Sequence, residues 1–456
     1  MKYGKYILAA CFIFVLFSCA SKKYNLEELQ SKKLKSYAPP QAHVVTLKNG
    51  LQCFFLEDHT LPVVRAYALV KAGTLQDPQD KVGLSEITSA LLDYGGAGNL
   101  GPSEVDKRKD TLGIELNSSA GKEFSSVSLH ALSEDLHPAL ELFLDTLFQP
   151  QLNAKRLQTI KKNLLEELKR EKDNPQTFVE REFSALLFGR DNPWVRQANA
   201  KSVATISQKD VRAFHQKAFV PSQMMLAVSG DFHEEEVVDM LQRYFDRLPA
   251  FSEAEALPQP APLELAFQAE TKHLARPLTQ SFIRMGHLGI KRSNPDKYAL
   301  LLLNYILGGG GFSSRLMADI RVKRGLAYGI SSEFSPQTDY GDFTISVATK
   351  SSSTNEVIER VKQHLEVIVE EGVTEHELAL AKDALLNQLI FAFDAPEKIV
   401  KHEVIYAFYG YPKNYLEIYK DEIGKVTTEK IKKVAEKYLH PEALKILILG
   451  PKMSEQ

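Results

Sequence analysis

Apolar and polar positions along the chain fall into short stretches of period two and longer stretches of helical period. Val44-Val45-Thr46-Leu47, the turn pair Asn49-Gly50 and the apolar run Leu51-Gln52-Cys53-Phe54-Phe55-Leu56 predict a β-hairpin. Phe124 to His130 and Phe343 to Val347 alternate as half-buried strands do. After Ile206-Ser207 an amphipathic helical pattern runs to Pro221, and a buried strand closed by Gly230 follows.

The last of these patterns occurs twice. Ile206, Val211, Lys217, Pro221, Leu226, Val228 and Gly230 match Val426, Ile431, Lys437, Pro441, Ile446, Ile448 and Gly450, each pair separated by 220 positions. Nearer the start of each copy, Gly73, Asp80, Lys81 and Leu84 match Gly289, Asp296, Lys297 and Leu300 at a separation of 216. Such self-similarity predicts two halves of about 200 residues with one fold. Between them, Pro249, Pro258, Pro260 and Pro262 interrupt the periodic pattern and mark a boundary. The expected division is a domain over 43–248, a linker over 249–263 and a second domain over 264–456. Strands and helices are grouped rather than strictly alternating. The expected fold class is therefore α+β: two homologous domains, each a mixed or antiparallel sheet covered by helices.

The 456 residues carry a formal net charge of only -2, and the lysine pairs Lys161-Lys162 and Lys432-Lys433 sit among acids at helical spacing. These are solvated helix faces, and no nucleic-acid partner is expected. The N-terminus departs from this pattern. A basic start, an apolar run from Ile7 to Phe17 and the sequence Leu16-Phe17-Ser18-Cys19 resemble the lipobox of bacterial lipoproteins. The resemblance implies a signal peptide over 1–18, lipidation at Cys19 and a polar tether over 19–42. It further implies an exported lipoprotein held by its lipid anchor at a membrane, facing the periplasm or on the outer membrane. With Cys11 inside the signal, Cys53 is the one cysteine of the body, so no internal disulfide can form. Its apolar surroundings predict a buried, inert thiol.

Several segments together resemble the insulinase/pitrilysin family of metallopeptidases, in particular its mitochondrial-processing-peptidase-like branch. They are Thr46 to Leu51, Gly83-Leu84-Ser85, Leu165-Glu166-Glu167 with Asp173-Asn174-Pro175, Leu307 to Gly310 with Ser313 to Leu316, and Arg324-Gly325-Leu326-Ala327-Tyr328. The family also shares the internal duplication. Its chemistry uses H-x-x-E-H on a helix: two histidines hold Zn²⁺, the glutamate between them deprotonates the bound water, and a later glutamate completes the site. After Gly83-Leu84-Ser85 this chain reads Glu86-Ile87-Thr88-Ser89-Ala90. Glu86 and Ala90 replace the histidines, and Ser89 replaces the base. The later ligand falls on Glu167 or its neighbour Glu166. None of the twelve histidines begins an alternative H-x-x-E-H or H-E-x-x-H. The chain itself is therefore expected to bind no zinc.

The resemblance assigns Arg324 and Tyr328 to an Arg/Tyr pair that donates hydrogen bonds to the substrate carbonyl next to a zinc site. It assigns Gly308, Gly309 and Gly310 to a loop involved in substrate recognition, and Asn117 to an edge strand that pairs with extended peptide. In several family members the work is split between an H-x-x-E-H subunit and a subunit that lacks the motif. The expected function is that of the second kind: a non-catalytic subunit that assists a partner's zinc site in cleaving peptides at the cell envelope. The alternative is a stand-alone peptide-binding or scaffolding lipoprotein of peptidase ancestry.

Overall fold

A computed structural model describes residues 38–251 and 267–452. The expected signal peptide, Cys19, the tether as far as residue 37 and the linker from residue 252 lie outside the described residues. Among the described residues no helix is long and apolar enough to cross a membrane.

The first half runs through β1 (His43–Thr46), β2 (Gln52–Glu57), β3 (Val63–Val70), α1 (Leu84–Tyr94), α2 (Pro102–Leu112), β4 (Glu115–Ala120) and β5 (Ser125–Leu132). It continues with α3 (Leu136–Phe148), α4 (Ala154–Asp173), α5 (Pro175–Phe188), α6 (Ala200–Thr205), α7 (Gln208–Ala218), β6 (Met224–Gly230) and α8 (Glu234–Asp246). The second half contains β7 (Glu270–Ala275), β8 (Gln280–Leu288), α9 (Lys297–Asn304), β9 (Ala327–Pro336) and β10 (Gly341–Lys350). It closes with α10 (Thr354–Glu371), α11 (Glu375–Ala392), α12 (Pro396–Phe408), α13 (Tyr415–Lys425), α14 (Thr428–Tyr438) and β11 (Lys445–Gly450).

The strands form two sheets, in the orders β1-β2-β6-β3-β5-β4 and β7-β11-β8-β10-β9. The pairs β2/β6 and β11/β7 are parallel and the other pairs antiparallel, so both sheets are mixed. The repeat inferred from sequence is present in three dimensions. Helices α7 and α14, and the strands β6 and β11 that follow them, occupy corresponding places, with Ser207 and Thr427 capping the two helices through their side-chain oxygens. Within each half an ion pair fastens this helix to the turn that precedes the half's first helix. Lys81 bonds to Asp210 on α7, whereas Asp296 accepts from Lys430 on α14 at 2.5 Å.

Each sheet packs its own helices on one face. In the first half Phe55, Val70 and Val228 meet Ile87 and Leu91 of α1, Phe143 of α3 and Val211 of α7. Strand alternation turns Phe54, Leu69, Met225 and Ala227 to the other face, and there the cover comes from the other half: Val400 and Val404 of α12. The second sheet is covered reciprocally, with Leu288, Leu447 and Leu449 against Val179, Phe183 and Leu187 of α5. The halves thus exchange a helix. Each such side chain, fully buried, contributes about 1.5–3 kcal/mol. Polar groups lock the same seam: Glu123 accepts from Tyr409 Oη at 2.7 Å and from Arg292 at 3.4 Å, with the Arg292 guanidinium over the Tyr409 ring.

Candidate functional site

Helix α1 has glycine at its N-cap, in a left-handed conformation with φ of 105°, so it lacks a capping side chain of its own. Asp77, buried in the preceding turn, supplies the cap by accepting from the amides of Gly83 at 2.8 Å and Ser85 at 2.9 Å. The turn is itself seated on the β4–β5 hairpin. The amide of Thr74 donates to the Gly121 carbonyl at 2.9 Å, and a side chain at Gly73 would lie 2.4 Å from the Lys122 carbonyl oxygen. The N-terminus of helix α1 is thereby tied to the preceding turn and, through it, to the β4–β5 hairpin.

What it presents is a set of acids and hydroxyls. Glu86, Ser89, Ala90 and Asp93 of α1, Ser118 and Ser119 of β4, and Glu167 and Glu171 of α4 line one open cavity of 690 Å³. Glu166 points elsewhere, toward Lys162 at 3.9 Å and Arg170 at 3.8 Å, so of the two neighbouring acids it is Glu167 that faces the cavity. The donor types do not fit zinc. Ala90 offers no atom, Ser89 is a hydroxyl whose own carbonyl accepts from Ser118 Oγ, and the cavity's other candidate donors are the carboxylates of Glu86, Asp93, Glu167 and Glu171, with no imidazole among them. Glu86 is reached through the mouth of the cavity but enclosed on its other sides. Burial pushes its carboxyl above the usual range, nearby Asp77, Glu167 and Glu171 add to the effect, and Lys122 opposes it. Asp93 is pushed up to about 6, again mainly by burial. Raised carboxyls hold protons more readily than free ones. Ser89 cannot act as a base near neutral pH.

β4 is the outer strand of its sheet, and Asn117 lies on it, exposed, next to the cavity-lining Ser118 and Ser119. An outer strand beside a cavity leaves main-chain groups available for pairing with an extended peptide.

The Arg/Tyr positions lie in the second half and line no part of that cavity. A π-helical segment, Met317–Lys323, ends at Arg324, and Gly325 follows with φ of 62°. That left-handed step turns the chain into β9, the outer strand of the second sheet. Arg324 Nε donates to Asp319 Oδ1 at 3.0 Å, and Asp319 also binds Arg360 at 2.7 Å and faces His364 at 3.1 Å. Tyr328 is 85% exposed and is no core aromatic. The Arg321 guanidinium stands between its ring, at 4.6 Å, and that of Phe312, at 4.7 Å. Phe312 and Tyr328, both exposed, form an apolar corner around that cation.

The glycine run passes from α9 into a second π-helical segment, Tyr305–Gly309. Gly308 is buried, and a side chain there would meet Ser332 of β9 at 2.5 Å, so this glycine permits close helix–strand packing. Gly309 and Gly310 are similarly close to Asn304 and Tyr305, whereas Gly311, with φ of 59°, opens to solvent. Arg315 is structural: its Nε and Nη2 grip Glu377 at 2.7 and 2.8 Å and fasten the loop to α11. Cys53 is buried as expected, and burial pushes its thiol up to about 12. Sequence motifs gave no sign of Asp77 as the cap of α1 or of Asp93 in the cavity. Asp77 could have been suspected from the glycine-only N-cap that follows it.

Comparison with known proteins places these features in a family. Residues 54–192 match the model described as Insulinase (Peptidase family M16), and residues 205–385 match that described as Peptidase M16 inactive domain. A Mycobacterium leprae protein described as an uncharacterized zinc protease is 25% identical over 420 residues, spanning 90% of this chain and 92% of its own length. A crystal structure described as a peptidase M16 inactive domain from Pseudomonas fluorescens superimposes with a TM-score of 0.82 at 29% identity, covering 91% of this chain and 99% of that one. A protease structure from Helicobacter pylori shares the fold, with a TM-score of 0.79 at 21% identity over 91% of this chain and 100% of that one.

Proposed function

Because the chain belongs to the insulinase family, peptidase M16, we propose that it is a non-catalytic subunit that completes the substrate site of an H-x-x-E-H partner of the same family. One observation carries the reading. The cavity that should hold the metal keeps Glu167 and the fixed helix α1, but has Glu86, Ser89 and Ala90 where two imidazoles and a base are required. No hydrolytic step can be written through those residues, which supports placing the catalytic zinc on the partner.

The chain's own contribution is binding and orientation. Tyr328 presents its phenol at the exposed start of an outer strand, while Asp319 holds the Nε edge of Arg324 and fixes the plane of the guanidinium. Both are donors suited to a peptide carbonyl and to the negative charge that develops on its oxygen. The corner formed by Phe312, Arg321 and Tyr328 gives a partner an apolar and cationic contact. Gly308, Gly309 and Gly310 shape the backbone behind it, and the outer strand at Asn117 offers main-chain pairing to an extended peptide. Attachment through a lipid on Cys19 would hold the pair at the cell envelope. Affinity purification from detergent-solubilised native membranes, with mass spectrometry of what co-elutes, tests this. A stoichiometric companion of about 50 kDa carrying H-x-x-E-H supports the proposal. The chain recovered alone would favour the second reading, a stand-alone peptide-binding lipoprotein, which the outer strand β4 beside its cavity also suits.

A further inference from the structure

The parallel pairing of β2 with β6 sets Glu57 opposite Gly230, so the two strands leave the sheet side by side. After β2 the chain turns through His59, and after β6 it passes Asp231 and His233 before α8 begins. One ligand atom from each of Glu57, His59 and His233 falls within 4.8 Å of the others, and the two imidazole centroids are 5.5 Å apart.

Two of these three side chains are held from behind. Asp231 Oδ1 accepts from His59 Nδ1 at 2.7 Å, which turns Nε2 toward Glu57 Oε2 at 3.4 Å. The amide of Glu234 donates to Glu57 Oε1 at 2.7 Å, which leaves Oε2 facing the imidazole. A carboxylate on the far nitrogen of a histidine is the arrangement that fixes tautomer and ring orientation in metal-binding histidines. We propose that Glu57, His59 and His233 bind one divalent transition-metal ion of the zinc type, with Asp231 as the positioning residue of His59. Two imidazoles and one carboxylate suit Zn²⁺, Cu²⁺ or Ni²⁺ and not Ca²⁺ or Mg²⁺, which take all-oxygen sites. Ligand atoms on a tetrahedral ion with bonds of about 2.0–2.1 Å lie about 3.3 Å apart. All three side chains are exposed, so they can close that difference without disturbing the core. The bound ion clips the β2–β3 turn to the β6–α8 connection and leaves a coordination position for water. This departs from the expectation that the chain binds no metal of its own. No residue of the cavity around Glu86 and Glu167 takes part.

The test is calorimetric titration of the chelator-stripped full chain with ZnCl₂, paired with thermal unfolding. The expected result is one equivalent bound with a Kd below about 10 μM and a raised Tm in the presence of the ion. His59→Ala and His233→Ala should each abolish that equivalent, and Asp231→Asn should weaken it by about 10-fold to 100-fold. Glu86→Gln/Glu167→Gln should leave it intact. Absence of a zinc equivalent in the parent chain would overturn the proposal. So would binding that survives His59→Ala and His233→Ala, or binding that disappears in Glu86→Gln/Glu167→Gln. Circular dichroism of the variants confirms that any loss is a loss of ligands and not of fold.

Discussion

Glu167 and Glu86 face the same cavity from helices α4 and α1, while Glu166, one residue away, turns out to Lys162 and Arg170. The cavity thus has a carboxylate on one wall and, opposite it, a helix capped by Asp77. Only the side chains on that helix are wrong for zinc.

Replacing those side chains should therefore be enough to restore metal binding. The triple variant Glu86→His/Ser89→Glu/Ala90→His is expected to bind one zinc equivalent more than the parent chain, with Glu167 as its third protein ligand. Metal content after dialysis, with and without Glu167→Gln added to the triple variant, checks both the gain and its dependence on that carboxylate.

In the proposed complex with an H-x-x-E-H partner, Tyr328→Phe and Arg324→Ala should each lower kcat by about 10²–10³-fold, the effect of removing one donor to a developing oxyanion. Tyr328 is exposed, and Asp319 keeps Arg360 and His364 when Arg324 is removed. The Tm of the isolated chain should therefore change little. A Tm drop that accounts for the lost activity would contradict the assigned role.

The exchanged helices make an unusual demand on stability. Phe183 lies in the first half of the sequence but is buried against the second sheet. Phe183→Ala should cost about 3–5 kcal/mol and speed hydrogen exchange in β8 and β11 more than in β2 and β6. Exchange that accelerates evenly in both sheets would argue against a local cover.

Glu377 has its carboxyl held down to about 2, first by the Arg315 hydrogen bonds, then by the Thr374 amide, with burial opposing them. A carboxyl depressed from 4.5 stabilises the fold fully above that pH and loses the contribution as pH falls from 4.5 toward about 2. In urea unfolding across that window, Glu377→Gln should flatten the acid limb of stability against pH. An unchanged slope would place the acid sensitivity elsewhere.

Much of this was legible in the sequence because it rests on local pattern. The hairpin at Asn49-Gly50, the alternation in β5 and β10 and the repeat linking α7–β6 to α14–β11 are set by neighbours in the chain. The loss of H-x-x-E-H is likewise a statement about consecutive residues. The helix exchange was not legible: the apolar stripes of α5 and α12 announce burial without saying which sheet receives them. Glu166 and Glu167 could not be told apart until the phase of α4 against the cavity was known. The group of Glu57, His59 and His233 depends on a parallel strand pairing across most of the first half, and no motif of consecutive residues encodes it.

The most direct test of the account is peptide hydrolysis by the purified chain, alone and with an H-x-x-E-H partner, in the presence and absence of a chelator. The account predicts no chelator-sensitive turnover by the chain alone, and turnover with the partner that collapses when Tyr328→Phe or Arg324→Ala is substituted. Sustained, chelator-sensitive hydrolysis by this chain alone would contradict it, because Glu86, Ser89 and Ala90 supply neither the imidazoles nor the base that such catalysis requires.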